Sequence, residues 1–147
     1  MSEQILCSNR KAHHDYEILE TVEAGIILHG SEVKSLRDHK ASLDGAYAFV
    51  ENGTVWLINA HIDEYKNAAL FSEHNPKRRR QLLLHRREIK KFAEKATEKG
   101  FTLIPLTFHL RNGKVKINLA IARGKQLHDK RQSAKKRDAE REIRSNL

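Results

Sequence analysis

The chain has 147 residues, and its 28 lysines and arginines against 19 aspartates and glutamates give a formal net charge of +9. A basic surplus of this size favours a polyanionic partner: a nucleic acid, an anionic membrane or an acidic protein. No apolar stretch approaches the about 18 residues of a membrane-spanning helix, and the first residues are too short and acidic for a signal peptide. Cys7 is the single cysteine, which excludes an internal disulfide and a cysteine-based zinc site and fits a cytoplasmic protein.

The first predicted elements are two paired strands and a short helix. Residues 16–23 and 25–30 are typical of strands, with apolar side chains at Ile18, Val22, Ile26 and Leu28. A helix is predicted at 31–40, because Ser31 can cap it and Glu32 complements the positive end of its first turn.

Two Asn-Gly dipeptides between apolar runs predict β-hairpins, since this dipeptide favours a two-residue turn. In the first hairpin, which turns at 52–53, Val50 pairs with Val55 and Tyr47 pairs with Ile58. Apolar residues occur on both faces of this hairpin, so we expect another part of the chain to cover each side.

The second hairpin turns at 112–113 and joins strands 101–111 and 114–123. Its predicted register makes one face apolar, with these pairs: Leu110 and Val115, Phe108 and Ile117, Leu106 and Leu119, Ile104 and Ile121. The alternate positions, which include His109 and Lys116, would form a polar, basic outer face.

A run of cations lies between the two hairpins. It comprises Lys77, Arg78, Arg79, Arg80, Arg86, Arg87, Lys90 and Lys91, with Glu88 as its one opposing acid. Flexible cations at this density suit a phosphate backbone, whereas a solvated helix face normally mixes signs. The leucines at 82–84 inside the run either anchor the following helix in the core or leave one leucine exposed against a base or sugar.

That following helix is predicted at 88–99. Its apolar residues recur at helical spacing on one stripe, formed by Ile89, Phe92, Ala93 and Ala96, and Gly100 follows as a stop. After the second hairpin the composition changes, since residues 123–147 are rich in charge and poor in large apolar side chains. We interpret 123–147 as a basic C-terminal tail that is disordered alone and becomes helical when a partner neutralises its charge.

The nine histidines raise the question of a catalytic or metal site. The pairs at 13–14 and 61–63 lack metal-ligand spacing, and the chain has neither a Gly-rich phosphate loop nor a G-x-S-x-G elbow. We therefore expect no catalytic residue, no metal and no cofactor. A metal-dependent nuclease built from scattered acids such as Glu23, Glu32 and Asp44 is the weaker alternative.

Several stretches, in this order, resemble one family. They are Asn9-Arg10-Lys11-Ala12 with His14 and Tyr16, residues 23–26 continuing to 30–37, residues 82–85, residues 104–106, and Gly124-Lys125 with residues 128–131. Together they resemble the small protein B family, the SsrA-binding proteins of bacteria. The resemblance covers roughly residues 8–141, and its specificity comes from the ordered set.

The resemblance implies a mainly β (α+β) fold: a small closed antiparallel barrel of the oligonucleotide-binding kind with two or three packed helices. Residues 1–122 would form an RNA-binding domain and 123–147 the tail. The implied function is to bind the tRNA-like domain of transfer-messenger RNA and deliver it to stalled ribosomes for trans-translation. The tail would then sense the empty messenger channel at the small-subunit decoding centre. Elongation factor Tu would be an indirect partner, and we expect a monomer.

The implied sites fall into two sets. The resemblance places RNA contacts at Asn9, Glu23 and Leu83. Side chains that can read or stack on bases add His14 and Tyr16, and the basic residues extend the RNA-binding set to Arg10, Lys11, Arg78, Arg79, Arg80, Lys116, Arg123 and Lys125. The decoding-centre set in the tail is His128, Asp129, Lys130, Arg131, Lys135, Lys136 and Arg137. Glu23 either accepts from a base amino group or ribose hydroxyl or holds a neighbouring arginine, and Tyr16 fits either a stacking role or the core.

A generic structured-RNA or single-strand binder is the alternative function. A single-strand binder needs several exposed aromatic residues as stacking platforms. Aromatic residues make up only 6% of the chain, and most of them fit the hairpin cores, so we favour the first function.

Overall fold

The structure is a computed structural model, and it describes residues 4–64, 75–98 and 100–124. Within these ranges it has nine strands: β1 (Gln4–Ser8), β2 (Tyr16–Ile26), β3 (Ala41–Ser42), β4 (Tyr47–Glu51), β5 (Thr54–Ile58), β6 (His61–Ile62), β7 (Arg80–Leu83), β8 (Phe101–Arg111) and β9 (Lys114–Gly124). The same ranges contain three helices: α1 (Ala12–Asp15), α2 (Gly30–Arg37) and α3 (Arg86–Thr97).

Seven of the strands form one antiparallel sheet that closes on itself. Its order is β1-β8-β4-β5-β7-β2-β9, and β9 also pairs with β8. The ring of β8, β4, β5, β7, β2 and β9 is therefore a closed barrel, which confirms the predicted fold class. β1 extends the edge of β8, and β3 pairs with β6 in a separate two-stranded sheet.

The first hairpin has the predicted register, with Val50 opposite Val55 and Tyr47 opposite Ile58. Asn52 and Gly53 take φ angles of 51° and 75°. These positive values are those of the two-residue turn that Asn-Gly favours, because glycine carries no Cβ and asparagine tolerates this region.

The second hairpin follows the prediction only near its turn. Phe108 lies opposite Ile117 as expected, but a bulge between Pro105 and Thr107 then shifts the strands by one residue. Pro105 therefore faces Leu119, and Leu103 faces Ile121. The predicted pairs of Leu106 with Leu119 and Ile104 with Ile121 are wrong, because the bulge leaves Leu106 without a place in the ladder.

The outer face of this hairpin also differs from the prediction. His109 is completely buried, and Ile104, Ala120 and Ala122 form a second small core cluster with Ala12 of α1. The short helix α1 lies over this face, so both sides of the hairpin are covered. A uniformly polar outer face would require that nothing packs on it, and the prediction of such a face is wrong.

The region at 16–30 is one strand and not two. β2 runs unbroken from Tyr16 to Ile26, pairing with β9 along its length and with β7 at Gly25 and Ile26. The predicted strand pair is therefore wrong, because β2 finds its partners elsewhere in the barrel. β1, α1 and β7 were not predicted as elements.

The two predicted helices are confirmed with shifted ends. α2 and α3 each begin after a histidine, and in each the backbone N–H of that histidine donates to a glutamate three residues later. The distances are 2.8 Å from His29 to Glu32 and 3.0 Å from His85 to Glu88. This bond from the histidine N–H to the glutamate caps the start of both helices, and Ser31 lies inside α2 instead of capping it.

The main core fills the barrel. Its largest fully buried apolar side chains are Phe92, Phe108, Leu36, Leu43, Leu57, Ile62, Leu82, Leu103, Ile117 and Leu119. Phe92 comes from α3, which packs with Ile89 and Ala96 onto this cluster. β9 continues through Arg123 to Gly124, so the last strand includes two residues that the composition break assigned to the tail.

Candidate nucleic-acid interface

Glu23 is held at the surface of the barrel by two side chains of β8. Its Oε2 lies 2.9 Å from His109 Nε2 and 2.9 Å from Arg111 Nε. The Glu23 side chain is 30% exposed, whereas His109 has no exposed surface. The carboxylate is therefore fixed in orientation yet open to solvent, a geometry suited to accepting a hydrogen bond from a ligand.

Neither partner of Glu23 was in the predicted site. His109 and Arg111 lie two residues apart on β8, so they point to the same side of the strand. No pattern in the sequence points to His109, because its burial depends on the packing of other elements against β8. The suggestion that Glu23 holds a neighbouring arginine is confirmed for Arg111.

Leu83 is the exposed member of the leucine triplet. Leu82 is buried and Leu84 is half-buried, whereas Leu83 is 50% exposed at the end of β7. Leu83 pairs with Gly25, and a Cβ added at position 25 would lie 3.2 Å from the Leu83 Cβ. A surface cleft of about 390 Å³ is lined by Gly25, Leu83 and Lys116, so the strand pairing brings a predicted apolar contact and a predicted phosphate contact together.

Asn9 positions the chain between β1 and α1. Its Nδ2 donates to the Pro105 carbonyl at 2.9 Å, and its backbone N–H donates to the Leu106 carbonyl at 2.8 Å. Asn9 is thus bound to the bulge of β8. Nearby, Tyr16 is half-buried and packs against the second core cluster. Of the two roles suggested for Tyr16, stacking on a base or packing in the core, this contact matches the second.

The other N-terminal candidates and Arg123 lie at the surface. Arg10, Lys11 and His14 are exposed, and His14 Nδ1 lies 2.9 Å from Asp15 Oδ1. Arg123 is also exposed and forms an ion pair with Glu17 across β9 and β2. Lys125 and the whole decoding-centre set, 128–131 and 135–137, lie outside the described residues.

Arg80 does not fit its predicted role. Its side chain has no exposed surface, and its guanidinium donates to Glu32 at 2.6 Å, to the Ala60 carbonyl at 2.8 Å and to the Pro76 carbonyl at 3.0 Å. A side chain that is enclosed and bonded in this way cannot reach an RNA phosphate. We therefore remove Arg80 from the RNA-binding set as a correction.

The two neighbouring arginines are also engaged within the protein. Arg78 donates through Nε and a terminal nitrogen to Glu32 at 3.1 and 2.5 Å, and its side chain is 25% exposed. Arg79 is half-exposed and lies over Trp56, 4.1 Å from the ring centroid, with Glu51 at 3.6 Å. Sequence reasoning missed Glu32 as the partner of this arginine group.

The Glu32 carboxylate is buried yet ionised. Burial by itself raises the pKa of Glu32, but hydrogen bonds from Arg78, from the His29 N–H and from Arg80 outweigh this effect. The pKa therefore lies below its ordinary value of 4.5. Burial lowers the pKa of Arg80, because it disfavours the charged guanidinium, and the negative charge of Glu32 acts in the opposite direction.

The remaining features to consider in the described part of the chain are the Cys7 thiol, possible metal ligands and possible membrane-spanning helices. Burial raises the pKa of the Cys7 thiol, which keeps it in the less nucleophilic protonated form. The described part of the chain brings together no group of three histidine, cysteine, aspartate or glutamate residues that could hold a metal ion. In the same part, no helix has the length and apolar character needed to cross a membrane.

The fold and this surface define a small antiparallel barrel of the oligonucleotide-binding kind with a basic exterior. A family model described as SmpB protein matches residues 6–147. The chain therefore belongs to the SmpB family, as the sequence resemblance indicated.

Individual relatives agree with the family model. The chain is 54% identical over 140 residues to an SsrA-binding protein of Mycobacterium sp. (strain KMS), covering 95% of this chain and 83% of the relative. It is 52% identical over 140 residues to the SsrA-binding protein of Mycobacterium tuberculosis (strain CDC 1551 / Oshkosh), covering 95% and 87%.

A solved structure shares the fold. It is described as "tmRNA-SmpB: a journey to the center of the bacterial ribosome", and one of its chains matches with a TM-score of 0.70 and 45% sequence identity. The match covers 82% of this chain and 84% of that chain.

Proposed function

We propose that this protein binds transfer-messenger RNA through its barrel and acts with it on the bacterial ribosome in trans-translation. The observation that carries this proposal is the match, at 45% identity and a TM-score of 0.70, to a chain of a structure described as tmRNA-SmpB on the ribosome. The SsrA-binding protein relatives support the same RNA partner.

The barrel supplies specific contacts at its surface. Glu23, oriented by His109 and Arg111, would accept from a base amino group or a ribose hydroxyl of the tRNA-like domain. Exposed Leu83 would pack against a base or sugar, and Lys116 beside it would contact a phosphate. Asn9, Arg10 and Lys11 would bind nearby backbone.

The tail has a separate role in this proposal. Residues 123–147 would be unordered alone and become helical in the messenger channel, with His128, Asp129, Lys130 and Arg131 at the decoding centre. Lys135, Lys136 and Arg137 would continue along ribosomal RNA. The barrel domain and the tail would thus separate RNA binding from recognition of an empty channel.

We further propose that the protein is a cytoplasmic monomer and not an enzyme. The ribosome would supply the peptidyl-transfer chemistry, and elongation factor Tu would bring the charged RNA. In this proposal Glu23, held by His109 and Arg111, serves recognition of the RNA.

A competition experiment tests the RNA partner. Labelled transfer-messenger RNA is bound to the full chain at fixed salt and displaced by unlabelled transfer-messenger RNA, by a tRNA or by an unstructured single strand. We expect the cognate RNA to displace the label at much lower concentration than either competitor. Equal displacement by the single strand would instead indicate a generic nucleic-acid binder. Cleavage of the RNA that stops with a chelator would indicate a nuclease.

A further inference from the structure

The structure divides the basic run into two parts with different surroundings. In the first part, Arg78 and Arg80 bind Glu32, and Arg79 lies over Trp56. These side chains are engaged by the protein itself. The second part lies on α3, where Arg86, Arg87 and Lys90 are exposed.

The three α3 cations share one face of the helix. At about 100° per residue they fall within an arc of about 100°, and Phe92, Ile89 and Ala96 bury the other side against the core. Among the described residues, none of the ion pairs involves Arg86, Arg87 or Lys90. The neighbouring Lys91 differs because it pairs with Glu20. We call the face formed by Arg86, Arg87 and Lys90 the α3 basic face.

This arrangement does not stabilise the helix. Arg86 and Lys90 are four residues apart, as are Arg87 and Lys91, and like-charged pairs at this spacing destabilise a helix. The one acid on the same side, Glu94, lies a turn beyond Lys90 and makes no ion pair with it in the described structure. Repulsion among these cations therefore destabilises α3 on its own, and a bound polyanion would relieve that repulsion.

The position of α3 places its basic face beside the proposed RNA contact at Leu83. Arg86 follows Leu83 by three residues, so their Cα atoms are at most about 11 Å apart. A nucleic-acid backbone carries a phosphate at each nucleotide, so a strand that contacts Leu83 can present further phosphates to α3.

We propose that the α3 basic face binds the sugar-phosphate backbone of the transfer-messenger RNA segment that contacts Leu83. The cations of the basic run that hold RNA phosphates are then Arg86, Arg87 and Lys90, and Arg78 and Arg80 are structural. This inference rests on the proposed function for the identity of the RNA.

The test is a triple variant, Arg86→Gln, Arg87→Gln and Lys90→Gln, in the full chain. Glutamine is a good helix former, so α3 should be retained. The matched control removes three exposed cations on or just after α2: Lys34→Gln, Arg37→Gln and Lys40→Gln. Both variants lower the net charge by three, which separates a local contact from a general charge effect.

Binding to transfer-messenger RNA is measured from low to moderate salt. We expect the slope of log affinity against log salt to fall in magnitude by about 2–3 for the α3 variant, from three lost phosphate contacts. The affinity should fall by about tenfold or more at moderate salt, with less change for the control. The thermal midpoint of the α3 variant should stay the same or rise, which shows that the loss is not unfolding.

The outcomes separate this inference from the proposed function. If the wild-type chain shows no preference for transfer-messenger RNA over tRNA, the proposed function fails. If that preference holds but the α3 variant has the affinity and slope of the control, the α3 inference is overturned. A loss seen only in ribosome binding, with free RNA binding intact, also overturns it and assigns the face to ribosomal RNA.

Discussion

Glu32 of α2 and Arg80 of β7 form an ion pair of 2.6 Å in which neither side chain has any exposed surface. The pair joins elements 48 residues apart in sequence. Arg80 also binds the carbonyls of Ala60 and Pro76, so it ties together chain positions on both sides of residues 65–74. Burial of two charges is tolerated here because each has several hydrogen-bonding partners.

Removing one charge of this group should destabilise the fold. Glu32→Gln would leave Arg80 buried without its counterion, and breaking a buried pair in this way costs about 3–5 kcal/mol. Urea unfolding followed by circular dichroism measures the free energy of unfolding. The control is Glu51→Gln, which removes an exposed partner of Arg79 and should cost less than about 1 kcal/mol. Equal effects of the two variants would contradict a structural role for Glu32.

The same carboxylate should make stability depend on acid pH. The pKa of Glu32 is lower in the folded protein than its ordinary value of 4.5, so the unfolded chain binds the proton more readily. Its contribution is therefore fully present above pH 4.5 and is lost as the pH falls through the folded pKa. The difference in unfolding free energy between wild type and Glu32→Gln, measured from pH 7 downward, should shrink below pH 4.5. A difference that grows on acidification would show that the sign is wrong.

Phe108 should be one of the costliest positions in the core. Its side chain is completely buried opposite Ile117, and Phe108→Ala should lower the free energy of unfolding by about 3–5 kcal/mol. Leu19→Ala is the comparison, since Leu19 is 47% exposed and such changes usually stay within about 0.5 kcal/mol. A loss below about 1 kcal/mol for Phe108→Ala would contradict the register near the hairpin turn.

Glu23 should contribute selectivity more than affinity. Glu23→Gln keeps the shape but removes the charge that holds His109 and Arg111, so discrimination between transfer-messenger RNA and tRNA should fall. The salt slope should hardly change, because no phosphate contact is lost. Glu17→Gln, an exposed acid on the same strand paired with Arg123, should leave selectivity unchanged. Intact selectivity in Glu23→Gln would remove Glu23 from the site.

The barrel and the tail should be separable. A chain that ends after Lys125 retains every described strand and helix, so it should fold and bind transfer-messenger RNA within several-fold of the full chain. Alanine transfer on stalled ribosomes should collapse in a reconstituted assay, because the cations at 130–131 and 135–137 are lost. Normal transfer by the truncated chain would exclude the tail from the mechanism. A large loss of free RNA affinity would place the tail in the RNA-binding body.

Much of the fold follows from local sequence rules. Asn52-Gly53 and Asn112-Gly113 fix two turns because only certain residues accept positive φ, and each turn sets the register of the residues beside it. The apolar stripe of α3 depends on spacing alone. The basic surplus and the ordered family stretches were equally visible without a structure, and they identified the family.

Only the tertiary structure decided which charged side chains are engaged within the protein and which are exposed. Arg78, Arg79 and Arg80 look alike in sequence. In the structure Arg80 is buried and Arg78 is partly exposed, both paired with Glu32, whereas Arg79 lies over Trp56. The bulge beside Pro105, where Asn9 attaches to β8, and the burial of His109 opposite Ile5 of β1 likewise involve segments far apart in the chain. Turns and helical stripes arise from interactions between near neighbours, which a sequence displays directly. Burial and ion pairing depend on segments brought together from far apart in the chain, and these interactions contribute to stability only once the barrel has closed.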